Sequence, residues 1–267
     1  MKRYTVALLV GAGLLALGAA AWLLWPQPQP PQPLEVASTP LPVQQLQASA
    51  PPAVAAAEPL PDAAVTLPPL ASSDALLKES LTELVGRAGV LGLLQTDGFV
   101  RRIVATVDNL PRQHAEPRLW PVNPTAGRFT VDGQGRIALD NGQRYAALVQ
   151  LIEGVEPARA VALYRRVHPL LQQAYEELGY PGQRFHSRLI EVVDHLLATP
   201  QPSAPLVLTL TEIKGPIPSQ RPWVRYEFAD ASLQQLSAGQ RMLLRVGIVN
   251  QRRLMAWLRD FRAQLLR

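Results

Sequence analysis

Residues 4–25 read YTVALLVGAGLLALGAAAWLLW, a run with no charged side chain. As a helix rising 1.5 Å per residue, it is long enough to cross a hydrocarbon layer about 30 Å thick. Lys2 and Arg3 precede it, and no Lys or Arg follows until Lys78. Cations flanking a span stay on the cytoplasmic side. The run is therefore expected to be a single transmembrane helix of a bacterial-type inner membrane. The tip would be cytoplasmic and everything after residue 25 periplasmic. Trp22 and Trp25 fall at the exit end, where indole rings favour the headgroup region, and Pro26 ends the helix. A second outcome stays open. The small residues 18–21 suit a signal peptidase, and cleavage after Ala21 would release the chain. The apolar run continues through Trp25 to full spanning length, which favours retention as an anchor.

Residues 26–70 constrain the fold in the opposite way. They hold half of the 26 prolines, with no aromatic residue and no cation. Such a segment cannot bury enough surface to offset its ordering entropy, so it reads as a disordered tether biased to polyproline II. At about 3.1 Å per residue it reaches at most ~140 Å. Its opening PQPQPPQP reads as a stiff spacer near the bilayer.

What remains, residues 71–267, is long enough for one ordinary core. The net charge of +5 divides as +2 from Lys2 and Arg3, −3 from Glu35, Glu58 and Asp62, and hence +6 on the folded part. That excess permits contact with anionic lipid, cell-wall polymer or nucleic acid without selecting among them. There is no cysteine, which excludes disulfides, thiolate catalysis and cysteine-based zinc sites.

The periodicity is mainly helical. Leu76, Leu77, Leu81, Leu84 and Val85 follow the cap-like Ser72-Ser73-Asp74. A short apolar helix over 88–95 is expected to be buried on all sides. Phe99, Ile103, Val104 and Val107 mark a third helix that Pro111 ends. Residues 128–131 and 136–139 flank Asp132-Gly-Gln-Gly135 as a hairpin. Helices are expected over 142–154, 157–178, 183–198, 233–246 and 249–266, with Pro169 kinking or splitting the second of these near His168. Short strands are expected over 206–211 and 224–228. The last helix is amphipathic, with Leu254, Trp257 or Leu258, Phe261 and Leu265 as its apolar stripe. The fold class is thus mainly α with a few short β pieces (α+β), in one domain behind the span and tether.

Chemistry is sparse. No nucleophile elbow, P-loop, SxxK or HExxH is present. Gly133-Gln-Gly135 lies between strands rather than before a helix, so it is a turn and not a dinucleotide loop. His186 and His195 sit nine apart on one helix, on opposite sides. Glu191 and His195 share a face but form no metal site alone. No catalytic residue, metal ligand or cofactor is assigned. The arginine doublets lack the interleaved aromatics that stack on nucleic acid, and nucleic acid is not an expected partner. One segment stands out: Arg118-Leu-Trp120-Pro121 and Arg128-Phe129 bracket a proline-rich loop. A guanidinium fork beside a flat apolar ring suits carboxylate, phosphate or sugar recognition. Arg118, Trp120, Arg128 and Phe129 are therefore the candidate binding residues. The alternative is that Trp120 fills the core while Arg118 pairs with a helix carboxylate.

Four ordered blocks carry a resemblance. They are TDGFVRRIVATVDNLP over 96–111, RLWP over 118–121 with GRFTV over 127–131, AYEELGYP over 174–181, and YEFAD over 226–230 with SAGQ over 237–240 and LLR over 243–245. Together they resemble the proteobacterial domain of unknown function 3014 family. Its members similarly carry an N-terminal membrane helix and a proline-rich linker. The stretch 210–223 is longer than that pattern, which bears on the strand ends there. The family implies no activity and no site residues. The expectation is a membrane-anchored envelope protein with a periplasmic binding or scaffolding domain. Its partners would be the membrane through residues 4–25 and another envelope protein or an anionic cell-wall polymer. The alternative is an unrecognised hydrolase of a cell-wall or sugar polymer.

Overall fold

The computed structural model describes residues 67–211 and 221–267. The expected span over 4–25 lies outside the described residues, as does the tether up to residue 66. Folded structure begins slightly before the expected boundary at 71. Leu67 packs on the core and Leu70 is buried at the start of a 3-10 turn, Leu70–Ser72. Two leucines with an apolar surface within reach are enough to order the end of the tether.

In chain order the elements are α1 (Asp74–Leu93), α2 (Phe99–Asn109), α3 (Asn141–Arg144), α4 (Ala146–Glu153), α5 (Pro157–Glu177), α6 (Phe185–Leu197), β1 (Leu208–Leu210), β2 (Tyr226–Phe228), α7 (Ala231–Gln234), α8 (Ala238–Arg245) and α9 (Ile248–Leu265). The fold is mainly helical with a two-stranded sheet. No described helix is long and apolar enough to cross a membrane.

Helix α5 is the axis. Pro157 occupies its first turn, where a missing N–H costs nothing. Val161, Tyr164, Val167, Leu170, Leu171, Ala174 and Tyr175 are buried along one stripe at helical spacing. Each buried side chain of this size contributes about 1.5–3 kcal/mol. The helix runs through Pro169 rather than splitting there. Proline removes one donor to the carbonyl four residues back, and the packing on both sides of it holds the helix together. Helices α2 and α9 pack on α5, and α9 also crosses α4 and α6.

Helix α1 contains the break expected between its two halves, at Gly86, which takes φ 78° and ψ 156°. That left-handed backbone favours glycine. The second half is not buried all round: Val90 is 2% exposed, but Leu91 is 60% exposed. Its apolar surface meets neighbours on one side only among the described residues. The cap also differs. Ser73 makes no cap bond; its hydroxyl donates to the Leu70 carbonyl at 2.8 Å. The Asp74 carboxylate instead accepts the N–H groups of Gly98 (2.8 Å) and Phe99 (3.3 Å), closing the start of α2.

The expected hairpin is reduced to one bridge, Val131–Ile137. Its turn is held by Asp132, whose carboxylate accepts Gln134 N, Arg136 N and Arg136 Nε at 2.7–2.9 Å. Those bonds hold the Asp132 carboxyl below its ordinary range, the Arg136 side chain most strongly. The hairpin then joins β1 through an Arg136–Val207 bridge. Strands β1 and β2 pair antiparallel, Leu208 with Phe228 and Leu210 with Tyr226. Leu208, Phe228 and Leu244 form the buried centre of this corner, with Phe129, Val131, Ile137 and Tyr226 around it. The single helix expected over 233–246 is two, because Ser237 and Gln240 form a capping box that restarts the chain as α8. The helix expected over 142–154 likewise breaks at Tyr145.

Candidate functional site

The four candidate binding residues fall into two groups. Arg118 lies on a 3-10 turn, Pro117–Leu119, beside α2. Its side chain is 92% exposed and meets only Glu116, at 3.7 Å. It helps line a cleft of about 440 Å³ with Asp97, Arg101, Arg102 and Glu177. Arg102 staples the loop to the helix: its Nη1 donates to the carbonyls of Arg118 (2.6 Å) and Trp120 (3.4 Å), and its Nε to that of Asp97 (2.8 Å). Trp120 is half-buried, and its Nε1 is enclosed without an acceptor. It is not among the cleft walls. Of the two carboxylates that are, Glu177 is already held by Arg101 at 2.9 Å. A glycosidase needs two convergent carboxyls across the scissile bond, and here one of the two is engaged by an arginine.

Arg128 and Phe129 belong to the sheet corner. The Arg128 guanidinium lies 4.3 Å from the centroid of the Trp223 ring, a cation–π contact. Phe129 meets Tyr226 at 6.1 Å between ring centroids. The arginine–tryptophan pair anticipated within the loop thus exists, but its tryptophan is Trp223 and not Trp120.

Further arginines gather along this face. Arg144 ties down the loop before Arg128, donating from Nε to the Ala126 carbonyl (3.1 Å) and from Nη2 to Thr125 Oγ1 (3.2 Å) and the Gly127 carbonyl (3.3 Å). Arg245 donates from Nη2 to the Tyr226 carbonyl at 2.6 Å and lies 5.3 Å from the Phe228 ring. Burial pulls its pKa down, and the charge of Arg241 adds to that, against weaker support from Tyr145 and Glu227. Arg245 Nε is enclosed with no acceptor, as are Nε and Nη1 of Arg225 just before β2. Among the described residues Arg128, Arg144, Arg225, Arg241 and Arg245 form no ion pair, and neither do Arg102, Arg159 and Arg165 in the bundle, whereas Arg101, Arg112, Arg118, Arg136, Arg188, Arg253 and Arg262 each meet a carboxylate. An enclosed donor left without an acceptor costs about 1–3 kcal/mol, and more when charged.

The outer edge of the sheet is partly occupied. In the register of β1 and β2, the polar backbone groups of Tyr226 and Phe228 point away from β1. Arg245 takes the Tyr226 carbonyl, and Gln234 Oε1 accepts the Phe228 N–H at 3.0 Å.

Other polar clusters are internal. Asp108, 3% exposed at the end of α2, accepts from Arg188 (3.2 Å), Tyr180 (3.0 Å) and Arg112, locking α2 to α6 and to the turn after α5. Tyr164 Oη and His186 Nδ1 are 2.8 Å apart, with His168 edge-on to both rings. Burial lowers the pKa of both histidines and raises that of Tyr164. His195 Nε2 lies 2.8 Å from Ser237 Oγ, but Ser237 is 5% exposed and serves as the α8 cap, so substrate cannot reach this pair. Glu191 pairs with Arg188 rather than His195. No three potential metal ligands converge among the described residues. A groove of about 580 Å³ runs between residues 202–206 and the α8–α9 corner, with mainly apolar walls that also carry Gln143, Ser203 and Arg252.

Fold and face together define a mainly helical α+β domain carrying one arginine-rich aromatic surface. The chain belongs to the family described as "Protein of unknown function (DUF3014)", whose model matches residues 99–262. That span runs from the first residue of α2 into the last turns of α9 and contains the whole arginine face. No curated protein and no solved structure matches the chain.

Proposed function

We propose that this chain is a single-pass envelope protein with a non-catalytic binding or scaffolding domain, held off a bacterial inner membrane by its proline-rich tether. Residues 4–25 would anchor it, with the domain on the periplasmic side. The cation gap from residue 4 to residue 77 supports that orientation. The observation that carries the binding reading is Arg128, exposed at the sheet corner over the Trp223 ring and without a carboxylate partner among the described residues. An exposed cation of this kind complements an anionic partner.

A reporter active only after export, fused behind Arg267, is expected to be active. A stable but silent fusion overturns the orientation. In-cell crosslinking is expected to recover envelope proteins or cell-wall material with the chain; recovery of a lone monomer contradicts the binding role.

A further inference from the structure

We propose that the groove between residues 202–206 and the α8–α9 corner holds a long-chain fatty acid, with its alkyl chain along the apolar walls and its carboxylate at Arg252. The inference goes beyond the binding role assigned to Arg128, and no part of it rests on that residue. A volume of about 580 Å³ lies in the range of sites that enclose one small ligand. The hollow follows from the residues around it. Ala138, Gly142, Ala146, Ala204 and Gly247 line it with little or no side chain. Gly247 takes φ 89°, where glycine is favoured, and a Cβ there would sit 3.8 Å from Gly142 Cα. Leu139 and Val249, also on the walls, are 100% and 65% exposed. Covering such apolar surface is favourable.

The walls suit an alkyl chain better than a peptide. The carbonyls of Ala138, Gly142, Leu206, Val246 and Gly247 each accept a bond from within the chain. Pro202 and Pro205 have no N–H to offer. Asn250 Nδ2 is spent on the Gly142 and Val246 carbonyls, at 2.8 and 2.9 Å, and Gln251 Nε2 on the Pro200 carbonyl at 2.8 Å. A peptide laid here brings backbone groups that cost free energy when covered without partners; an alkyl chain brings none. The charge of the head follows from Arg252, the only charged side chain on the walls. It is exposed, and no hydrogen bond, ion pair or ring contact engages it among the described residues. Its neighbour Arg253 is by contrast taken by Glu153. An open guanidinium fork with no competing carboxylate on the walls matches a carboxylate head.

The test uses the full chain in membrane vesicles, with palmitate carrying a diazirine in its chain as probe and peptide-level mass spectrometry as readout. Label is expected within residues 137–146, 202–206 or 246–252. Ala204→Trp fills the groove and is expected to cut that label about tenfold. Arg252→Glu is expected to cut it about threefold, the scale of an exposed ion pair, and Arg252→Lys less. Ala204 and Arg252 are exposed, so the fold should tolerate these changes, checked by an unchanged melting temperature. Arg259→Glu, on an exposed arginine of α9 that does not line the groove, is expected to leave the label unchanged. The methyl ester of the probe is expected to label less than the acid. A photoreactive residue in place of Ala204 is expected to capture the fatty acid. No label in the three segments, undiminished label in Ala204→Trp, or equal label from the methyl ester would overturn the assignment. So would equal losses in Arg252→Glu and Arg259→Glu, or capture at position 204 of a protein and no lipid. A silent export reporter alongside groove labelling would sink only the cellular orientation, and an active reporter without groove labelling only the fatty-acid site.

Discussion

Asp108 in the helical bundle and Arg225 and Arg245 at the sheet corner are charged groups handled in opposite ways. In the bundle, Asp108 is buried to 3% exposure and meets two arginines and a tyrosine hydroxyl. Around β2, Arg225 and Arg245 have enclosed guanidinium nitrogens and no carboxylate partner among the described residues. A buried ion that is fully paired fixes the relative placement of the elements that pair it, at little net gain. A half-buried cation without a partner lowers stability and raises the local potential. The first pattern belongs to architecture. The second recurs in the bundle at Arg165 of α5, whose Nε is also enclosed without an acceptor.

The sharpest way to break this comparison is to remove a charge from each region. Asp108→Ala is expected to cost about 3–5 kcal/mol in urea unfolding, because Arg112 and Arg188 lose their buried counter-ion. Arg225→Ala should cost no more than about 1 kcal/mol and can stabilise, since it relieves enclosed donors. Equal losses would erase the distinction. The seam between the regions comes next. A Cβ on Gly239 would sit 2.7 Å from Leu196 Cδ2 and 3.1 Å from Leu110 Cβ. Gly239→Ala is expected to cost about 1–3 kcal/mol by overpacking, read from the same urea curves.

A pH series sharpens the contrast from the bundle side. His168 and His186 both have pKa values below the ordinary 6.5, chiefly through burial, with the charges of Arg165 and Arg184 adding to the effect at His186. The unfolded chain therefore binds protons more readily. Stability should be full above about pH 6.5 and fall as the pH drops below it, levelling off only past the folded-state values. Melting temperatures between pH 8 and 5 should show this fall, and His168→Phe should flatten it. The smallest effect concerns the corner's own scaffold. Ser237→Ala removes the α8 cap and the contact to His195, with an expected loss of about 1 kcal/mol.

Much of the bundle could be read along the chain because its signals are local. The α5 stripe, Pro157 at its start and the α9 stripe are periodicities within one element. Pro169 does not split α5, because whether a helix breaks at a proline depends on what packs around it, which is tertiary information. The break of the 233–246 helix was present as Ser237 with Gln240 three residues on, a signal outweighed by the continuous apolar periodicity. Asp108 was also detectable: it lies four residues after Val104 and eight after Val100, both buried, so it shares their face of α2. The candidate site was half legible. The pairing of an arginine with a tryptophan was expected, and Arg128 with Phe129 lies on the face. The partners Trp223 and Arg245 are some 95 and 117 residues downstream, a distance over which spacing carries no information about contact. Arg118 and Trp120 seemed equivalent to them only because they are near in sequence.

The account stands most directly on Asp108 as the buried acceptor that ties α2 to α6 and to the turn after α5. Urea unfolding of Asp108→Ala beside Arg225→Ala measures it. A loss of about 3–5 kcal/mol for the first and of no more than about 1 kcal/mol for the second is expected. Equal losses, or a loss below about 1 kcal/mol for Asp108→Ala, would contradict it.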